Sequence, residues 1–267
     1  MKNLNNKPLA TYAVMIICFI VFVLTNFFPV STPSETSILL GAYYKPFIIA
    51  GEYWRLLTVG FTHVSLWHLF VNMMALMNLG RFMEKIVGSW RYAAILLLSV
   101  IGGSAFYFIT SRNTFAVGLS GGLYGLMAGY TLIVCYSGSW KNPQVMSALI
   151  RTYMINLMIN FIPGVAAGAH AGGFFTGLLL TGLLLPQKEK RNNLHFGLAL
   201  AALIGVMAYL MPQNAFIDSE HVYALTDVRV LRYEKQIGFG DHAARIAQKL
   251  DTIYTDNYDI YNKVMED

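Results

Sequence analysis

Seven stretches of this chain stay apolar for long enough to cross a bilayer as helices: approximately Thr11 to Phe28, Leu66 to Phe82, Trp90 to Thr110, Ser120 to Tyr136, Val145 to Ile162, Ala169 to Leu185 and Leu194 to Met211. A hydrocarbon layer of ~30 Å needs about 20 apolar residues of helix, with some latitude for tilt and thickness. Composition agrees, since 56% of the 267 residues are hydrophobic and only 12% are charged, against roughly one-quarter charged in soluble domains. The expected fold class is an all-α polytopic membrane protein. The first span follows Met1-Lys2-Asn3 like a signal peptide, but no small-x-small cleavage site follows Phe28, so it reads as a retained helix.

Charge sets the expected orientation. Lys2 and Lys7 precede span one; Arg81, Lys85 and Arg91 surround the turn from span two to three. Lys141 and Arg151 flank the turn from four to five, and Lys188, Lys190 and Arg191 join six to seven. The opposite loops hold only Lys45, Arg55 and Arg112. Lys/Arg excess marks cytoplasmic segments, which puts the amino terminus inside. Residues 1–211 carry a formal +9 and residues 212–267 a formal −4. The basic character is therefore a topology signal and not a nucleic-acid footprint. The expected organisation is a cytoplasmic N-terminus (1–10), a six-span core (11–186), a cytoplasmic linker with the seventh span (187–211) and an outward-facing soluble tail (212–267). In that tail Ala243 to Leu250 reads as helix, and Ile217 to Val230 as a hydrophobic-rich surface that packs back on the core, binds a substrate or contacts nothing. Cys18 and Cys135 lie inside spans one and four, where an apolar cysteine is inert packing.

Residues 116–125, AVGLSGGLYG, admit two readings. Gly121 and Gly125 have the Gly-x-x-x-Gly spacing that lets membrane helices approach closely, which makes Ser120 a small packing residue. Gly118-Leu119-Ser120-Gly121-Gly122 also matches Gly-x-Ser-x-Gly, which holds a nucleophile on a tight turn after a strand; no strand is visible before it. The surroundings favour chemistry. With the amino terminus inside, spans two, four and six all start from the outer face. Their first turns carry His68 and Asn72, Ser120, and His170. His68 and Asn72 stack at i and i+4. Intramembrane polar groups are costly and face the bundle interior. Ser120 suits a nucleophile, His170 a general base, and His68, Asn72 and the Ser120 backbone N–H a set of oxyanion donors. Gly172, Gly173 and Gly177 on span six would let it close on Gly121 and Gly125 of span four.

Before the tail the acidic residues are Glu35, Glu52, Glu84 and Glu189, all at the membrane surfaces or in the first outer loop, so a Ser-His dyad is expected in place of a triad. Tyr124 lies one turn deeper than Ser120, where its ring can stack on the imidazole and orient it. A zinc site from His63, His68 and His170 lacks both a His-Glu-x-x-His helix and a nearby carboxylate.

From Glu52 to Leu185 these residues resemble the rhomboid family of intramembrane serine proteases. The matching pieces are Glu52-Tyr53-Trp54-Arg55, His63-x4-His68-x3-Asn72, Glu84-x3-Gly88, Gly118-Leu119-Ser120-Gly121 and Ala169-His170-Ala171-Gly172-Gly173. The resemblance implies a six-helix bundle with Ser120 as nucleophile below the outer surface and His170 as base. It implies His68, Asn72 and the Ser120 N–H as the oxyanion hole, Tyr124 stacked on the histidine, and structural roles for Trp54, Arg55, His63 and Glu84. It further implies cleavage of transmembrane protein substrates that come in sideways from the lipid bilayer near span five, under the loop Pro163 to Gly168, without metal, ATP or other cofactor. The seventh span and tail fit a six-plus-one layout. Two rivals remain: a catalytically silent relative that binds client helices, and a small-solute transporter, whose inverted repeats are not seen.

Overall fold

A computed structural model of the chain describes residues 7–27, 31–112, 115–185, 190–217 and 220–266; Lys2, Phe28, Lys188 and Glu189, used above for topology, lie outside them. The chain runs α1 (Leu9–Phe27), α2 (Pro33–Leu39), β1 (Tyr43–Tyr44), α3 (Lys45–Ile49), α4 (Arg55–Thr58), α5 (Leu66–Ala75), α6 (Arg81–Val87), α7 (Ser89–Thr110), β2 (Phe115–Ala116), α8 (Ser120–Ser137), α9 (Pro143–Ile159), α10 (Ala167–Leu184), α11 (Lys190–Gln213), α12 (Glu220–Glu234), α13 (Gly240–Ile253) and α14 (Ile260–Met265). One π-helical turn, Leu76–Gly80, joins α5 to α6 without ending the helix.

Each expected span corresponds to a helix, with ends displaced by a few residues where caps overrule hydropathy. Span five begins at Pro143 and not Val145, because Asn142 caps it by accepting from the Gln144 N–H at 2.9 Å and Pro143 occupies a first-turn position needing no N–H. Span six starts at Ala167, so the expected loop Pro163 to Gly168 is partly helical. Among the described residues α1, α7, α10 and the Asn193–Gln213 part of α11 are each long and apolar enough to cross a membrane, and the helices through 55–61 and 66–87, bent by 93°, make a fifth candidate. Glycine-rich α8 and the 17-residue α9 do not pass that test alone.

Glu84 ties the far end of the bundle together. Its carboxylate accepts from the N–H groups of Ala10 and Thr11 (3.0 and 2.8 Å), from Thr11 Oγ1 (2.7 Å) and from Ser89 Oγ (2.6 Å). It thereby satisfies donors that the start of α1 leaves open, with a negative charge where the helix dipole favours one.

The segment between α1 and α5, the first loop, is a small subdomain. Arg55 is fully buried; it pairs with Glu52, donates to the carbonyls of Ile38 and Ala42, and lies over the Trp54 ring at 4.5 Å. This loop also contributes a strand: Tyr43 and Tyr44 pair antiparallel with Ala116 and Phe115. The strand expected to be missing before Ser120 is thus present, two residues long, too short to impose a period on the sequence.

The tail packs back. Ile217, Val228, Val230, Leu231 and Leu250 share one buried cluster with Ile38, Tyr44 and Phe47 of the first loop. Polar ties follow its edge: Tyr44 Oη donates to Asp227 Oδ1 at 2.7 Å, Tyr254 Oη donates to its other oxygen, and Lys249 Nζ donates to the Ala50 carbonyl at 2.7 Å. Fully burying one Leu, Ile or Phe contributes ~1.5–3 kcal/mol. The Arg229–Glu35 pair sets a half-exposed guanidinium on a buried carboxylate, so much of its Coulomb gain is offset by desolvation of Glu35. The apolar cluster therefore dominates the docking.

Candidate active site

Helices α8 and α10 meet through glycine. A Cβ on Gly173 would collide with the Gly121 backbone, and one on Gly177 with the Gly125 backbone. Such close approach is what small residues give packed membrane helices. The seam brings the first turn of α10 against the start of α8. His170 is 5% exposed and its Nε2 lies 2.8 Å from Ser120 Oγ. Ser120 itself is half-buried and opens α8, where the first N–H groups have no intrahelical partner and the dipole is positive.

The turn into α8 is held from two sides. Gly118 has φ +115°, a conformation that L side chains rarely adopt, and its N–H donates to the Val59 carbonyl at 3.1 Å. A side chain there would strike the His68 imidazole, so that ring lies directly against the turn. A small cavity of about 20 Å³, room for about one water, adjoins Ser120 between Tyr43, Val59, Ala166 and Ala169. A larger one, about 460 Å³, lies away from the serine between the first loop and the tail, by Glu52, Trp54, His242 and Arg245.

Tyr124 stacks on His170 with ring centroids 4.1 Å apart and planes 9° from parallel. Asn72 is buried, and its Nδ2 donates to the carbonyl of His68 at 2.9 Å, while Oδ1 has no partner among the described residues. The second amide hydrogen stays uncommitted. His63 is fully buried with its ring edge-on to His68 at 5.1 Å. Trp54, Arg55 and Glu84 sit outside this cluster, in the first loop and at the far end of the bundle.

One participant was not among the residues expected from sequence. Asn160, which caps the end of α9, places Oδ1 2.6 Å from His170 Nδ1. Its signal was present: Asn156 and Asn160 stand four apart in a stretch, 153–162, that is otherwise aliphatic or aromatic, the same spacing that singles out His68 and Asn72.

A helical membrane protein with a serine hydroxyl at a helix start, hydrogen-bonded to a buried histidine from a neighbouring helix, has the outline of an intramembrane serine hydrolase site. A Rhomboid domain family model matches residues 50–187. The chain is 29% identical over 209 residues to rhomboid protease GluP of Bacillus subtilis (strain 168), covering 77% of this chain and 41% of that one. It is 32% identical over 161 residues to RHOMBOID-like protein 4 of Arabidopsis thaliana, covering 59% and 41%. It is also 30% identical over 175 residues to inactive RHOMBOID-like protein 8 of the same plant, covering 63% and 50%. The chain spans half or less of the length of these relatives. It belongs to the rhomboid family and is an integral multi-pass membrane protein.

Proposed function

We propose that this chain is a rhomboid-type serine endopeptidase that hydrolyses peptide bonds in or beside transmembrane segments of other membrane proteins. The observation that carries the proposal is the 2.8 Å contact of His170 Nε2 with Ser120 Oγ at the start of α8. In the reaction Ser120 Oγ attacks the scissile carbonyl carbon as its proton passes to Nε2. The carbonyl oxygen takes the negative charge and is met by the Ser120 N–H, the second Asn72 amide hydrogen and His68. The tetrahedral intermediate then expels the amine, which takes the proton back from His170, and water repeats the cycle on the acyl-enzyme.

Several features support a lateral path for substrate near α9. Leu149 is the one buried residue of that helix, while Ile150, Met154, Ile155, Leu157 and Met158 are exposed. That apolar face, turned away from the bundle, gives a substrate helix a surface to lie against. The docking of the tail on the first loop supports seven crossings, since an odd number separates the tail from the amino terminus and leaves it on the side of that loop. With the basic turns cytoplasmic, that side is the outer one.

The test is proteolysis of a generic transmembrane substrate by reconstituted protein, alongside labelling by a fluorophosphonate that traps activated serines. Wild type should do both. Ser120→Ala and His170→Ala should each lower turnover by on the order of 10⁴-fold or more in folded protein. A folded wild type that neither cleaves nor labels would favour the silent client-binding reading, which the inactive relative keeps in view.

A further inference from the structure

His170 has two ring nitrogens, and only one arrangement of protons makes it a base toward Ser120: Nδ1 must carry hydrogen and Nε2 must present its lone pair. No carboxylate among the described residues hydrogen-bonds this imidazole, yet its tautomer is fixed. The constraint originates at a backbone carbonyl. The Asn156 oxygen can only accept, and it faces Asn160 Nδ2 at 2.9 Å and Tyr124 Oη at 3.0 Å. Asn160 Nδ2 also meets Tyr124 Oη at 2.9 Å. Turning the amide over would set Oδ1 against the Asn156 oxygen, acceptor on acceptor. The NH₂ end therefore stays with Asn156 and Tyr124, and Oδ1 faces His170 at 2.6 Å. An amide oxygen can only accept, so Nδ1 carries the hydrogen and Nε2 is free to take the serine proton.

We propose that Asn160 is a positioning residue that stands in for the missing triad acid: its amide, latched by the Asn156 carbonyl and the Tyr124 hydroxyl, sets the His170 tautomer and holds the imidazolium once it forms. This rests on the Ser120–His170 reading above. The device differs from a buried carboxylate in two ways. It is neutral, so no charge has to be desolvated beside the lipid. It is also carried by α9, so the histidine is correctly protonated only while the end of that helix is seated against α8 and α10.

The experiment measures pH–rate profiles of reconstituted protein on a generic transmembrane substrate, fluorophosphonate labelling rates at Ser120, and thermal melting for each variant. Asn160→Ala should lower kcat by about tenfold to a hundredfold with KM within about twofold, as losing a histidine-orienting partner does elsewhere. It should also move the acidic limb to lower pH, since an acceptor that favours imidazolium is gone. Asn160→Asp offers the same Nδ1 a carboxylate oxygen and should move that limb to higher pH. A purely structural asparagine would lower melting in both variants and leave the acidic limb where wild type has it. That result, or Asn160→Ala with wild-type kcat, overturns the proposal. Should Asn160→Ala not fold, the Asn160→Asp limb decides alone: an unmoved limb refutes the role. A wild type that neither labels nor cleaves would refute the dyad first, and Asn160 with it.

Discussion

Ring stacking and hydrogen bonding act on His170 at right angles, and Tyr124 supplies one directly and the other through Asn160. Its ring lies parallel to the imidazole at 4.1 Å, while its hydroxyl donates to the Asn156 carbonyl and accepts from Asn160 Nδ2. A cation over an aromatic face is worth ~0.5–2 kcal/mol, or roughly two- to thirtyfold in rate. Tyr124→Ala removes ring and latch together and should lower kcat by about tenfold or more. Tyr124→Phe keeps the ring and one of the two Asn160 Nδ2 acceptors, so a loss of about threefold is expected in single-turnover assays. A Phe variant slower than the Ala variant would show that the ring face is not what matters. Ser120, His170, His68 and Asn72 stood out in the sequence because polar groups in apolar spans are rare enough to signal a task. Asn160 did not, because an asparagine near a helix end is an ordinary cap. What distinguishes it is a partner ten residues on, across a turn whose path hydropathy does not describe.

At the scale of elements, the pairing of α8 with α10 decides whether Ser120 and His170 meet at all. Gly173 and Gly177 face Gly121 and Gly125 with no room for a methyl group of their own. Gly177→Ala should force the helices apart at a cost of ~1–3 kcal/mol, lowering the melting temperature and lengthening the Ser120–His170 contact, with turnover falling well beyond the loss of folded protein. Gly205→Ala is the control, since a Cβ on that α11 glycine meets nothing. Equal melting and equal turnover for both variants would remove the seam from the account of the site. Helix positions were legible because apolar runs of this length have few alternatives. The β1–β2 ribbon was not, since two residues per strand carry no periodicity and its partners lie about 70 residues apart.

Across the whole molecule the first loop couples tail to site: Tyr44 touches the tail through Asp227, and its strand pairs with the one that leads into Ser120. Burial pushes the Asp227 carboxyl up to about 7, even though the Tyr254 and Tyr44 hydroxyls pull the other way. A carboxyl with a raised folded-state pKa holds its proton longer in the docked tail than in the free one. Its stabilising contribution is thus complete below the ordinary carboxylate range and lost as pH climbs through about 7. Protection of the α12 and α13 amides, taken as the observed exchange rate relative to the intrinsic rate at each pH, should therefore fall between about pH 4 and pH 7. Asp227→Asn, which cannot ionise, should flatten that dependence; an equally steep profile in the variant would assign it to other groups. The sequence marked residues 212–267 as water-soluble, but composition fixes solubility and not direction. That the segment folds back, and on what, depends on matching surfaces some 200 residues apart.

The spacing of Ser120 and His170, 50 residues apart, also fixes when the pair can exist during synthesis. At ~5–20 residues per second a ribosome takes several seconds to travel from one to the other. Throughout that interval the hydroxyl is in place with nothing to accept its proton. Asn160 arrives before its histidine, and the tail that grips the first loop follows later still. On the reading proposed above, a nascent chain among its unfolded neighbours in the membrane is therefore inert until α10 has followed α8, by the order of its own assembly.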